Sequence, residues 1–239
     1  MNRLVMMVLK NIHVAPVLLG KLWACARNPE KYTEQQRWDS IRNVMSRAIR
    51  AGNVNLVVTG LEKLPADGGF MMYCNHQGMF DVVAISGTCP LPLGAVLKHE
   101  LKDLPLIKQI ISCTKSFPMD RDDVRQSLEV IKAVTAEVEA GRRYIIFPEG
   151  TRSRNGNVMG EFHGGSFRCA VKAKCPIVPM AVIDCFKVLD QKGSAPVTVQ
   201  LHYLDPIPYE DYAGMKAAEV ATLVKGKIQA CLDENVGKY

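Results

Sequence analysis

Short apolar runs alternate along this chain with stretches in which apolar residues recur every three or four positions. Asn55 to Thr59, Phe70 to Cys74, Tyr144 to Phe147, Ile177 to Ile183 and Val197 to Tyr203 are rich in branched and aromatic residues and bounded by turn formers, which predicts buried strands. Between them, Val124, Leu128, Ile131, Val134 or Thr135, and Val138 keep helical spacing up to Gly141, a C-terminal cap. Further helices are predicted over Ser166 to Lys174 and Lys216 to Leu232, and Val82, Val83 and Ile85 continue a helix after Gly78. Upstream, Thr33 to Gln36 matches a capping box, and Trp38, Ile41, Met45, Ala48 and Ile49 follow at helical spacing as far as Gly52. Such alternation predicts an α/β fold in which helices flank a mixed, largely parallel sheet, with the functional loops at the carboxyl ends of strands.

The first fifty residues differ from the rest. They carry nine Lys and Arg against three acids, which accounts for the whole formal charge of +6, and the remaining residues balance to zero. A basic segment suits nucleic acid or an anionic membrane surface, and its apolar content decides between them. Leu4 to Ala26 is rich in Leu, Val, Met and Ala, with Trp23 near its end, so a membrane surface is favoured. Lys10, Asn11, His13, Pro16 and Lys21 compromise it as a spanning helix, although its length permits one. On a continuous helix Arg3, Lys10 and Lys21 would form one polar line, as an in-plane anchor requires. Packing on its own domain is the plain alternative, and a signal peptide cleaved near Ala24-Cys25-Ala26 ranks last because Lys10 and Lys21 interrupt its apolar core. These readings divide the chain into a helical membrane-association module, residues 1–52, and an α/β domain, residues 53–239.

With 48% hydrophobic and 23% charged residues among 239, the composition excludes disorder and is sufficient for a proper core. The eight cysteines lack zinc-ligand spacing and read as small buried hydrophobes of a reducing compartment; no metal site is expected. Cys74, beside Asn75 and His76, tempts a thiol-nucleophile reading, but the period of two in a strand points it into the sheet.

His76 and Asp81 stand five positions apart just after an apolar strand. In an ideal helix that step turns the side chains apart, so they meet only if a non-helical turn, to which Gly78 lends freedom, leads into the helix. Alone, the pair is better read as a locally satisfied histidine and a capping acid. A second strand runs into Pro148-Glu149-Gly150-Thr151-Arg152-Ser153-Arg154, where Pro and Gly end the strand and two arginines among hydroxyls offer a fork for a phosphate.

Taken together these segments resemble the 1-acylglycerol-3-phosphate acyltransferase family, marked by NHxxxxD and FPEGTR motifs, both present letter for letter. Phe117-Pro118-Met119-Asp120-Arg121 looks like the family's arginine block, Ile177-Val178-Pro179-Met180 its Pro-containing strand, and Lys98-His99-Glu100-Leu101 its Lys-x-Glu-Leu segment. One departure stands out: Phe162-His163-Gly164-Gly165 occupies the place of an aromatic-Lys-x-Gly run. The resemblance implies acyl transfer from a thioester, acyl-CoA or acyl-ACP as co-substrate and no other cofactor, to the sn-2 hydroxyl of lysophosphatidate, giving phosphatidic acid. It implies His76 as general base and Asp81 as its orienting acid, as in a serine-protease triad whose serine is replaced by the substrate hydroxyl. Arg152, then Arg121, with Glu149, Gly150, Thr151 and Lys98, would form the phosphate site. Asn75 and Arg154 would support it, with Asn75 holding the loop or the oxyanion. Backbone N–H groups around Asn75 to Gly78 are the expected oxyanion donors. The expected partners are the two substrates, an anionic membrane surface on the cytoplasmic side and possible acyl carrier protein, with no nucleic acid. Other hydroxyl-lipid acceptors, a thioesterase and a silent lipid-binding protein are the rivals.

Overall fold

Period-two alternation sends the side chains of each central strand to opposite faces, and both faces are buried. In β2 (Phe70–Cys74), Phe70, Met72 and Cys74 enter one apolar cluster, and Met71 and Tyr73 enter another. The structure, a computed structural model, describes residues 2–239. Its other strands are β1 (Val54–Thr59), β3 (Gly94–Lys98), β4 (Phe117–Met119), β5 (Arg143–Ile146), β6 (Ile177–Ile183) and β7 (Val197–Tyr203). They form one sheet in the order β1-β7-β6-β2-β5-β3-β4. All neighbours are parallel except β6 and β7, so the sheet is mixed and largely parallel, as the alternation predicts. The predicted bounds of β2, β6 and β7 hold to the residue; β3 and β4 add two strands that the pattern did not call. Pro118 is tolerated in β4 because that strand forms the edge of the sheet.

One layer of helices comprises α1 (Arg3–Asn11), α2 (Ala15–Arg27), α3 (Glu34–Ala51), α4 (Phe80–Thr88), α5 (Ile107–Thr114) and the short α8 (Phe186–Leu189). The opposite layer comprises α6 (Val124–Glu139), α7 (Arg168–Ala173) and α9 (Ala217–Asn235). The capping box is formed: Thr33 Oγ1 accepts from Gln36 N at 3.2 Å, and Gln36 Oε1 accepts from Thr33 N at 2.8 Å. Such an arrangement contributes about 1 kcal/mol to the helix start.

The amino-terminal region departs from expectation in two respects. Leu4 to Ala26 is not one helix: α1 and α2 meet at 90°, and Pro16 lies in the first turn of α2, where its missing N–H costs nothing. The polar line of Arg3, Lys10 and Lys21 is therefore not formed. Arg3 instead points inward, only 4% exposed, donating to Gly52 O at 2.7 Å and Ala195 O at 2.8 Å. Met7, Leu22, Cys25, Trp38 and Ile41 also lie in the same core cluster as the sheet, so residues 1–52 share their core with the remainder. Leu4, Val5, Val8, Leu9, Ile12, Val17 and Trp23 remain exposed. Among the described residues no single helix is long and apolar enough to cross a membrane.

Candidate active site

Parallel pairing of β6, β2, β5, β3 and β4 brings the carboxyl ends of these strands to one edge of the sheet. Along that edge stand, in order, Asp184 to Asp190, Asn75 to Asp81, Phe147 to Arg154, Lys98 to Glu100, and Arg121. Five segments far apart in sequence thus become one row of loops, the place where open α/β sheets bind ligands.

At its centre the chain leaves β2, turns through Gln77 and Gly78, and enters α4 with Asp81 in the first turn. Asp81 is fully buried, and its Oδ2 accepts three N–H groups: His76 Nδ1 at 2.7 Å, Gln77 N at 2.7 Å and Gly78 N at 3.0 Å. Two backbone N–H groups already converge on this oxygen, so a carboxylate there is an acceptor, and the tautomer that completes the arrangement carries its proton on Nδ1 and its lone pair on Nε2. The ring stacks on Phe147, centroids 4.2 Å apart, and the side chain retains 20% exposure. Gly78 has no left-handed φ; its lack of a side chain leaves room for Asp190, whose Oδ2 would lie 2.4 Å from a Cβ there.

The turn is held from three sides. Glu149, 5% exposed, accepts His76 N on Oε1 and Gly160 N on Oε2, both at 2.7 Å. Burial raises its carboxyl above the usual carboxylate range, while those two N–H donors oppose the shift. Expected in the phosphate site, Glu149 is seen to join the FPEGTR loop to the histidine turn through both of its oxygens. Asn75 donates to Val182 O at 2.9 Å and accepts from Val182 N at 2.8 Å, so its amide fastens the loop to β6. The expected oxyanion donors are likewise engaged: His76 N by Glu149, and Gln77 N and Gly78 N by Asp81. Gln77, overlooked in the sequence, receives Cys185 N at 2.9 Å and donates to Asn157 at 2.7 Å; Asn157 in turn bonds Asp184 through both side chain and backbone. No local pattern marks these partners, which lie 27 to 108 residues apart. Cys74 is buried in the sheet core and its thiol is pushed well above its ordinary value, chiefly by burial, as in an inert structural cysteine.

The cationic residues are arranged unequally. Gly150 has φ 72°, and a Cβ on it would come within 3.3 Å of the His163 ring and 3.4 Å of the Arg121 guanidinium, so these two groups converge on the FPEGTR loop. Desolvation lowers the Arg121 pKa, and the Glu100 charge opposes that. Arg152 pairs with Asp190 at 3.0 Å, and exposed Lys98 pairs with Glu100 at 2.6 Å. Thr151, Ser153, Arg154 and His163 line an open cavity of about 310 Å³ next to Glu149.

The carboxyl edge of the sheet thus carries a buried acid, an adjacent imidazole and a row of cations. The chain belongs to the Acyltransferase family, whose model matches residues 55–183. It is 28% identical over 140 residues to a 1-acyl-sn-glycerol-3-phosphate acyltransferase of Helicobacter pylori, covering 58% of this chain and 59% of that protein. It is 33% identical over 145 residues to the protein of the same name from Cocos nucifera, covering 58% and 46%. The match thus spans about half the length of these curated relatives. The crystal structure of the 1-acyl-sn-glycerophosphate acyltransferase PlsC from Thermotoga maritima superposes with a TM-score of 0.79 at 22% identity, covering 99% of this chain and 98% of that one, which establishes the shared fold.

Proposed function

We propose that this protein transfers an acyl chain from an acyl thioester, acyl-CoA or acyl-ACP, to the sn-2 hydroxyl of 1-acylglycerol-3-phosphate, forming phosphatidic acid for phospholipid biosynthesis. The observation that carries the reading is the 2.7 Å contact between His76 Nδ1 and buried Asp81, which leaves Nε2 as the basic edge beside the FPEGTR loop. As the hydroxyl oxygen attacks the thioester carbonyl, Nε2 takes its proton. Asp81 stabilises the imidazolium that forms, and the same proton then passes to the departing thiolate as the carbon–sulfur bond breaks. Such general acid–base assistance supplies about 10²- to 10⁴-fold. Holding the acceptor by its phosphate supplies the remainder of the advantage by turning an encounter into a positioned reaction. Arg152 and Arg121 are assigned to that phosphate, with Thr151 as donor and with Lys98 and Arg154 in support; the expected Gly150 donor is instead bonded to Phe147 O at 3.1 Å.

Both substrates are amphiphiles. Exposed Leu4, Val5, Val8, Leu9, Ile12 and Val17, next to an excess of Lys and Arg, support association with an anionic membrane on its cytoplasmic side. The test is a transfer assay with purified protein, 1-acylglycerol-3-phosphate and each thioester carrier. Acylated lipid that disappears with His76→Ala, together with a higher KM for the acceptor in Arg121→Ala and Arg152→Ala, supports the reading. Product formation that survives His76→Ala refutes the mechanism, and thiol release without acylated lipid makes the protein a thioesterase.

A further inference from the structure

Arg152, assigned above to the acceptor phosphate, already has an anion in this structure. Asp190 follows α8, its backbone N–H bonded to Phe186 O at 3.1 Å, and its Oδ1 lies 3.0 Å from Arg152 Nη1. Its Oδ2 lies 2.4 Å from the position that a Cβ on Gly78 would occupy. The carboxylate therefore fills the space between the guanidinium and the turn two residues beyond His76, and a side chain larger than hydrogen at position 78 would drive it out. A phosphate that reaches Arg152 through Nη1 takes or shares that space. Both partners are partly exposed, Arg152 at 44% and Asp190 at 33%, so the pair is open to exchange with solution.

We propose that Asp190 is a built-in competitor for Arg152: it occupies the guanidinium between turnovers, yields to the phosphate of the incoming acceptor, and returns to help expel the phosphate of the product. The inference rests on the reading that Arg152 binds phosphate. Acceptor and product carry the same phosphomonoester, so a rival carboxylate weakens the hold on both alike. An internal ligand that must be displaced lowers apparent affinity by the fraction of time it occupies the site. A partly exposed ion pair of this kind corresponds to a factor of up to about fivefold.

The experiment is a double-mutant cycle with Asp190→Asn and Arg152→Ala, on full-length protein in mixed micelles at fixed lipid fraction. Readouts are KM for 1-acylglycerol-3-phosphate, inhibition by added phosphatidate, and the thermal midpoint. Asparagine keeps the shape and removes the charge. Expected are an acceptor KM about fivefold lower in Asp190→Asn, product inhibition tighter by a similar factor, and loss of both changes when Arg152 is also alanine. An acceptor KM that stays unchanged or rises in Asp190→Asn at an unaltered thermal midpoint overturns the proposal, since Asp190 would then merely hold Arg152 in place. So does the same fivefold fall in the Arg152→Ala background, which would indicate general repulsion. If Arg152→Ala alone leaves the acceptor KM untouched, the phosphate reading itself fails, and that outcome is separable from a failure confined to Asp190.

Discussion

Replacing Asp81 with asparagine tests the charge of the acid with little change in shape. The carboxylate is fully buried and 2.7 Å from His76 Nδ1. When the imidazole becomes charged, the two charge centres are about 4 Å apart, and at an effective dielectric of about 20 their attraction is about 4 kcal/mol. Losing that attraction in the transition state lowers kcat by about 10³-fold. The asparagine oxygen can take the place of Oδ2 and still accept Gln77 N and Gly78 N, so the turn survives. The amide nitrogen then falls where Oδ1 now lies without a partner, an orphaned donor costing about 1–3 kcal/mol of stability. Thiol release followed with a chromogenic reagent, lipid product quantified separately and thermal unfolding of the variant together separate the two effects. A variant whose kcat stays within about tenfold of the parent's would refute the electrostatic role and leave Asp81 as a helix-start acid.

Three further outcomes follow from the same geometry. Glu149→Gln can accept only one of the two N–H groups, so kcat should fall about 10- to 100-fold with a loss of about 1–3 kcal/mol in stability, measured by steady-state kinetics and thermal melts. Because burial raises the Glu149 pKa from 4.5, the folded state binds its proton more readily, so this group's contribution is present below pH 4.5 and lost as pH rises through the raised value; the glutamine variant should lack that loss. His202 is lowered from 6.5, mainly by burial, so the folded state resists its protonation and stability falls as pH drops below 6.5 through the depressed value; His202→Gln should flatten melting curves there. Val8→Asp combined with Ile12→Asp, at positions 57% and 61% exposed, should abolish flotation with anionic vesicles while leaving the thermal midpoint nearly unchanged. Deleting residues 1–50 is a poorer test, because it removes Trp38 and Ile41 from the core.

The sequence alone determined the architecture and the pairing of His76 with Asp81. Strands β2 and β6, buried on both faces, are apolar throughout, and β7 alternates apolar Val197, Val199, Leu201 and Tyr203 with polar residues, which makes all three legible to the residue; the capping box and Gly141 mark helix ends by local chemistry. His76 and Asp81 are close enough in the chain for a single turn to join them. Strands β3 and β4 escaped notice because both are short and much of their length is only partly buried, so the apolar signal is weak.

What tertiary structure alone decided are the contacts whose partners are remote. Arg3 belongs to the interior because Gly52 and Ala195 present carbonyls to it, 49 and 192 residues away. Glu149 clamps the turn because parallel pairing of β5 with β2 brings it to a backbone N–H 73 residues earlier. Arg152 meets Asp190, and Arg121 and His163 both approach Gly150, only across the aligned ends of the sheet. Periodicity reports which face of an element is buried; it carries no record of which distant loop arrives there, and the division between clamp, counter-ion and free cation depends on that arrival.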